Sequence, residues 1–123
     1  MNMNYGECSL SVIGDVIHLK CKGLFNEHGV KAVFKESKEI IDSFNGGKFA
    51  IIADYLEVEG ATPETFEEVN SNNIWLFKQN IRAKAVVVNS SVLKAIGLKR
   101  VPAQINIKTK FFDSIKATEW LLP

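Results

Sequence analysis

The sequence predicts a single α/β domain, built in the order ββαβαβαβα around a mixed five-stranded sheet. Three observations predict it. Two alternating segments flank Gly14-Asp15, as in a β-hairpin. Residues 48–54 and 82–88 are apolar on both faces, as strands buried within a parallel sheet are. Segments with helical spacing or helix-capping residues separate the later strands, which implies parallel βαβ units with right-handed crossovers.

The hairpin spans residues 5–13 and 16–23. A two-residue turn at Gly14-Asp15 pairs Leu10 with Leu19, Val12 with Ile17 and Cys8 with Cys21 on one side. The other side pairs Ser11 with His18, Ser9 with Lys20 and Glu7 with Lys22. Apolar meets apolar and polar meets polar, so this register gives one core face and one wet face.

Residues 27–44 form the first helix. Val30, Val33, Phe34, Ile40, Ile41 and Phe44 recur at helical spacing, Asn26 is the N-cap, and Asn45-Gly46-Gly47 ends it. The strand at 48–54 follows, ending at Asp54. Thr62-Pro63-Glu64 then supplies a cap, a proline at the first helical position and an acid at the positive end of a helix that runs to about Asn80. After the strand at 82–88, Asn89-Ser90-Ser91 leads into a short helix from Val92 to about Gly97. Alternation of Ile105, Ile107, Thr109 and Phe111 reads as a last strand over 105–111. Asp113 or Ser114 caps a final helix with Ala117, Trp120 and Leu121 on one side.

A chain of 123 residues is one domain, long enough to bury roughly two thirds of its unfolded surface without a disulfide or metal. Charged residues at 24% are ordinary for a soluble globular protein, and a net charge of +1 argues against a general nucleic-acid binder. The charge is nonetheless polarised: residues 1–68 carry 6 basic and 12 acidic side chains, and residues 69–123 carry 9 and 2. Neither a signal-peptide pattern at Met1–Tyr5 nor an apolar run near the ~20 residues of a membrane span is present, so the expected compartment is the cytoplasm with no membrane insertion.

Little in the sequence points to catalysis. There is no phosphate-binding glycine pattern, and neither His18 nor His28 has carboxylate or cysteine companions at metal-ligand spacing, so no cofactor or metal is expected. A hydrolase using Asp54 with Ser90 or Ser91 lacks an identified base. Cys8 and Cys21 are direct cross-strand neighbours within reach of a disulfide, or two small buried hydrophobes in a reducing compartment, the reading preferred here.

Ligands of open α/β sheets bind beyond the carboxyl ends of the parallel strands. Those ends carry Asn26, Asp54 and Asn89-Ser90-Ser91, and the second helix begins there at Thr62. Free N–H groups and hydroxyls on this edge form a candidate anion or small-ligand site; the plainer alternative is that Thr62 and the serines are caps and that Asp54 makes a local turn bond. With Phe66, Val69, Asn73, Leu76 and Phe77 facing the sheet, Trp75 falls on the outer side of its helix, a candidate partner surface or ligand lid unless a neighbouring segment covers it. Asn70 and Asn73 on the inner side mark a polar pocket beneath the helix, or a roll of the helix that frees them.

The element order, Asp54 at the end of its strand, the Gly23-Leu24-Phe25-Asn26 corner and the closing Phe111-Phe112-Asp113-Ser114-Ile115-Lys116-Ala117-Thr118-Glu119-Trp120-Leu121 resemble the SpoIIAA-like branch of the STAS domains, which is related by fold to CRAL-TRIO lipid-transfer domains. The resemblance spans almost the whole chain and rests more on topology than on any motif. It implies helices mainly on one face of the sheet and a non-catalytic regulatory or ligand-binding role; Trp75 and the polarised charge favour docking to a protein partner, with self-association as a further expectation. A small-molecule or lipid carrier using the strand-end pocket near Asp54 and Thr62 is the alternative. The family's anti-sigma antagonists carry a phosphorylated serine in Asp-Ser-x-Gly at the start of the second helix. This chain has Gly60-Ala61-Thr62-Pro63, which leaves Thr62 as the candidate phosphoacceptor without the surrounding motif.

Overall fold

The computed structural model describes residues 6–121. Tyr5, expected in the first strand, lies outside the described residues, as does the side chain of Ala117. Strands β1 (Glu7–Ile13) and β2 (Val16–Phe25) form the hairpin, followed by α1 (Glu27–Ser43), β3 (Phe49–Ala61), α2 (Pro63–Phe77), β4 (Ile81–Val87), α3 (Ser91–Arg100) and β5 (Thr109–Phe112). A 3-10 turn spans Pro102–Asn106 and another spans Ile115–Leu121. The expected order is therefore observed through β5, with a 3-10 turn in place of the expected last helix.

The sheet runs β1-β2-β3-β4-β5, with β1 antiparallel to β2 and the remaining neighbours parallel. Each crossover steps to the adjacent strand in the same direction, so right-handedness places α1, α2 and α3 on one face. Hairpin register follows the sequence reading, from Glu7 opposite Lys22 to Ile13 opposite Val16. Gly14 holds the turn at φ +61°, a conformation that strains a residue with a Cβ.

Strand faces alternate as the pleat requires. On the helix-covered face, Ile17, Ile51 and Phe49 pack with Ile41 of α1 and Leu76 of α2, while Leu19, Cys21 and Phe25 meet Val30, Val33 and Phe34 of α1. On the opposite face Val16, Ala50, Ile52, Ala83, Ala85 and Val87 are covered by Leu121, with Trp120 tilted against Phe112. The small alanines of β4 leave room for this C-terminal segment. Arg82 anchors it: its guanidinium grips Asp15 of the hairpin turn at 2.8 and 3.0 Å and donates to the Leu121 carbonyl at 2.7 Å.

Several boundaries differ from expectation for identifiable reasons. β3 does not end at Asp54 but continues to Ala61, paired beyond that point with β2. Asp54 sits beside a register shift, where its carboxylate accepts the Leu56 N–H at 3.1 Å and so satisfies a donor that the shift frees. The alternation at 105–107 is not strand. Pro102 starts a 3-10 turn there, stabilised by Ala103 N–H donating to Asn70 Oδ1 at 2.9 Å, and Ile105 is left exposed. The last helix is a 3-10 turn, with Ser114 Oγ accepting the Lys116 N–H.

Candidate functional site

The residues singled out at the strand ends form two separate groups. Asn26 and Thr62 lie together, because the Thr62 N–H donates to the Phe25 carbonyl. Asp54 is paired with Val87, just before Asn89-Ser90-Ser91, and the length of β3 puts it roughly 20 Å from Thr62. The capping side chains are engaged with their own helices. Asn26 Oδ1 accepts from His28 and Gly29, Thr62 Oγ1 from Thr65 N–H while also bonding the Thr65 hydroxyl, and Ser90 Oγ from Leu93 N–H. Asn89 and Ser91 are exposed. Asp54 is buried on the face away from the helices, 3.8 Å from His18 Nε2, and that nitrogen has no hydrogen-bond partner.

Trp75 does not point outward. It is half-buried against the core formed with α1, with Lys38 Nζ 5.0 Å from its ring centroid, while Ile74 and Phe77 face out. The cause is the roll of α2. Asn72 and Asn73 are its buried positions, together with Thr65 and Leu76. Asn70 is held by the 3-10 turn and Asn73 by the group described next, whereas the buried Asn72 Oδ1 has no hydrogen-bond partner.

Between the sheet and the three helices lies a partly enclosed cavity of about 100 Å³. Val30, Val33 and Phe34 of α1, Phe66 and Val69 of α2, and Leu19, Tyr55 and Val86 of the sheet give it apolar walls, and Leu93, Gly97 and Val101 close one side. One basic side chain enters it from the sheet. Lys84 projects from the centre of β4 on the helix-covered face and is 4% exposed. Its Nζ donates to Asn73 Oδ1 at 3.1 Å, and Asn73 Nδ2 in turn donates to the Val69 carbonyl at 2.9 Å. Asn73 is fully buried, so this chain of bonds fixes both the amide and the ammonium.

Among the described residues no carboxylate pairs with Lys84. Burial alone lowers its pKa from 10.5 to about 8. The neighbouring titratable groups Tyr55 and Cys21 are pushed upward, Tyr55 by burial and Cys21 by its bond to Cys8 and by burial, and both stay neutral. Placing an ammonium among apolar side chains without a counter-charge costs several kcal/mol, so the arrangement destabilises the fold it sits in.

The sequence reading takes Lys84 only as one of the nine basic side chains of residues 69–123. The signal was present, since Lys84 interrupts a run that is otherwise apolar on both faces, opposite an asparagine on the inner side of α2. Among the described residues the ion pair of Arg82 with Asp15 joins the basic half of the chain to the acidic one, whereas Lys20–Glu57, Lys22–Glu7 and Lys31–Glu68 pair within residues 1–68. Cys8 and Cys21 oppose each other as free thiols with sulfurs 2.8 Å apart, and Cys21 lines the cavity.

Among the described residues no three His, Cys, Asp or Glu side chains are grouped to hold a metal, and no helix is long and apolar enough to cross a membrane. With the architecture in view, comparison with solved structures is decisive for the fold. A crystallised uncharacterized protein of the DUF3478 family with a SpoIIAA-like fold, from Shewanella loihica PV-4, matches at a TM-score of 0.70 over 100% of this chain and 98% of that one, at 12% identity. The fold is SpoIIAA-like. No family model matches the sequence, and no curated protein does. Relative to the SpoIIAA-like expectation, the helices do lie on one face, and the cavity under them is where this chain concentrates its unusual chemistry.

Proposed function

We propose that this SpoIIAA-like domain binds a small apolar molecule in the cavity between the sheet and its helices. The single observation that carries this reading is Lys84, a buried lysine without a carboxylate partner among the described residues, held by Asn73 in a chamber whose walls are mainly apolar. A protein has no structural need for such a group, and retaining one at a cost in stability is the pattern of a binding site. This is the carrier alternative raised by the sequence, relocated from the Asp54–Thr62 edge to the space beneath α2. Native mass spectrometry of freshly purified protein, with thermal shifts against small alcohols and acids, tests it. A co-purifying mass or a dose-dependent rise in Tm supports the reading; a clean apo mass with no shift across the panel rejects it.

The regulatory, protein-docking reading is supported by a different feature. α3 has no buried residue, its Leu93 and Gly97 line the cavity, and Val92, Ile96 and Leu98 are exposed, with Ile105 on the adjoining turn. The two readings join if occupancy of the cavity settles α3 and a protein partner reads its outer side. An unchanged partner interaction in a Val92→Ser/Leu98→Ser variant would count against that link.

A further inference from the structure

We propose that the ligand is an apolar carboxylic acid, its carboxylate paired with the Lys84 ammonium and its hydrocarbon body lying between α1 and α2. This deepens the binding reading above and rests on it.

Lys84 Nζ carries three donors, and Asn73 Oδ1 takes one of them, which leaves donors without a protein partner among the described residues on a side chain that lines the cavity. Asn73 has no donor to spare, because its Nδ2 is committed to the Val69 carbonyl. The buried head site therefore offers one positive charge and a small number of N–H groups. That matches a single carboxylate, whereas a phosphate dianion calls for a second cation or a nest of backbone N–H groups. Lys94, the other base lining the chamber, is exposed and its ammonium sits 5.4 Å from the Phe111 ring, so it lies at the rim. A carboxylate would also supply the counter-charge that Lys84 lacks, which makes the pair stronger in this surrounding than at a surface. The volume of about 100 Å³ is smaller than the ~150 Å³ of an engineered cavity that takes benzene, so it suits a short alkyl chain better than a ring.

The test is calorimetric titration of the full chain with hexanoate, hexanol and hexylamine, which share one chain length and differ in head charge. Hexanoate is expected to bind about tenfold or more tightly than hexanol, the scale of a charge-assisted hydrogen bond, and hexylamine most weakly of the three. In Lys84→Met the preference for hexanoate disappears while hexanol affinity is retained. The series on the wild-type protein stands without the variant. Equal affinities for all three heads, or a preference that survives in Lys84→Met, overturns the carboxylate inference and leaves the cavity reading intact. Binding of none of the three overturns both.

Discussion

Lys84 Nζ and Asn73 Oδ1 are 3.1 Å apart in the buried space between β4 and α2, a bond that ties a sheet cation to a helix amide beside the chamber. The pair sets a conflict between stability and binding, and that conflict is measurable.

Lys84→Met should stabilise the protein. Burial holds the folded pKa at about 8 against an ordinary 10.5, so the ammonium costs about 3 kcal/mol at pH 7. Stranding the Asn73 carbonyl returns part of that, for a net gain of roughly 1–2 kcal/mol by urea denaturation. A variant less stable than wild type would mean that Lys84 contributes to folding rather than burdening it.

The pH dependence has a definite sign. Between pH 8 and 10.5 the unfolded chain retains the Lys84 proton and the folded chain has released it, so wild-type stability rises across that window. Below pH 8 the cost is present in full. Urea midpoints measured at several pH values should show the rise in wild type, reduced in Lys84→Met. Parallel curves for the two proteins would refute the assignment.

Asn73→Ala removes the amide that steadies the ammonium. It should cost about 1–3 kcal/mol in the wild-type background and less in Lys84→Met, because only the former leaves a buried cation without its acceptor. A double-mutant cycle gives the coupling directly, and a coupling near zero would separate the two residues.

Much of the fold was legible because local chemistry agreed with topology. Hairpin pairing followed from a two-residue turn and matched polarity, and Asn26, Thr62 and Ser90 do cap their helices. Asp54 misled because an acid after a buried run reads as a strand end, whereas here its carboxylate satisfies a backbone donor within a longer strand. Trp75 misled because the spacing puts Phe77 on the inner side of α2, whereas Thr65, Asn72, Asn73 and Leu76 are the buried positions, Phe77 is exposed and Trp75 packs toward α1. The site itself was half visible: Asn70 and Asn73 read as inward amides, whereas Lys84 enters the sequence reading only as one of the nine bases of residues 69–123.

The hairpin offers a redox prediction. Diamide or oxidised glutathione should convert Cys8 and Cys21 into one intramolecular disulfide, since they are register partners with sulfurs 2.8 Å apart. Mass spectrometry after alkylation should show the loss of two hydrogens and no cross-linked dimer. Two alkylated thiols after prolonged oxidation would show that the hairpin does not permit closure.

Asp15→Asn loosens the tie between the hairpin turn, β4 and the C-terminal segment. Arg82 holds the Asp15 pKa below its usual value, so the contribution is present above the ordinary carboxylate range and is lost as pH falls below it. The Asp15 side chain is 39% exposed, and solvent screening limits the loss to about 1 kcal/mol. A Tm unchanged at pH 7 would assign the anchoring to Arg82 and the Leu121 carbonyl alone.

A crystal structure of the protein saturated with hexanoate tests the central claim most directly. The account predicts carboxylate density within hydrogen-bond distance of Lys84 Nζ, with the chain among Val33, Val69 and Val86. Hexanoate bound elsewhere, on the Asp54 face or at the capped helix ends, with the chamber unoccupied, would contradict it.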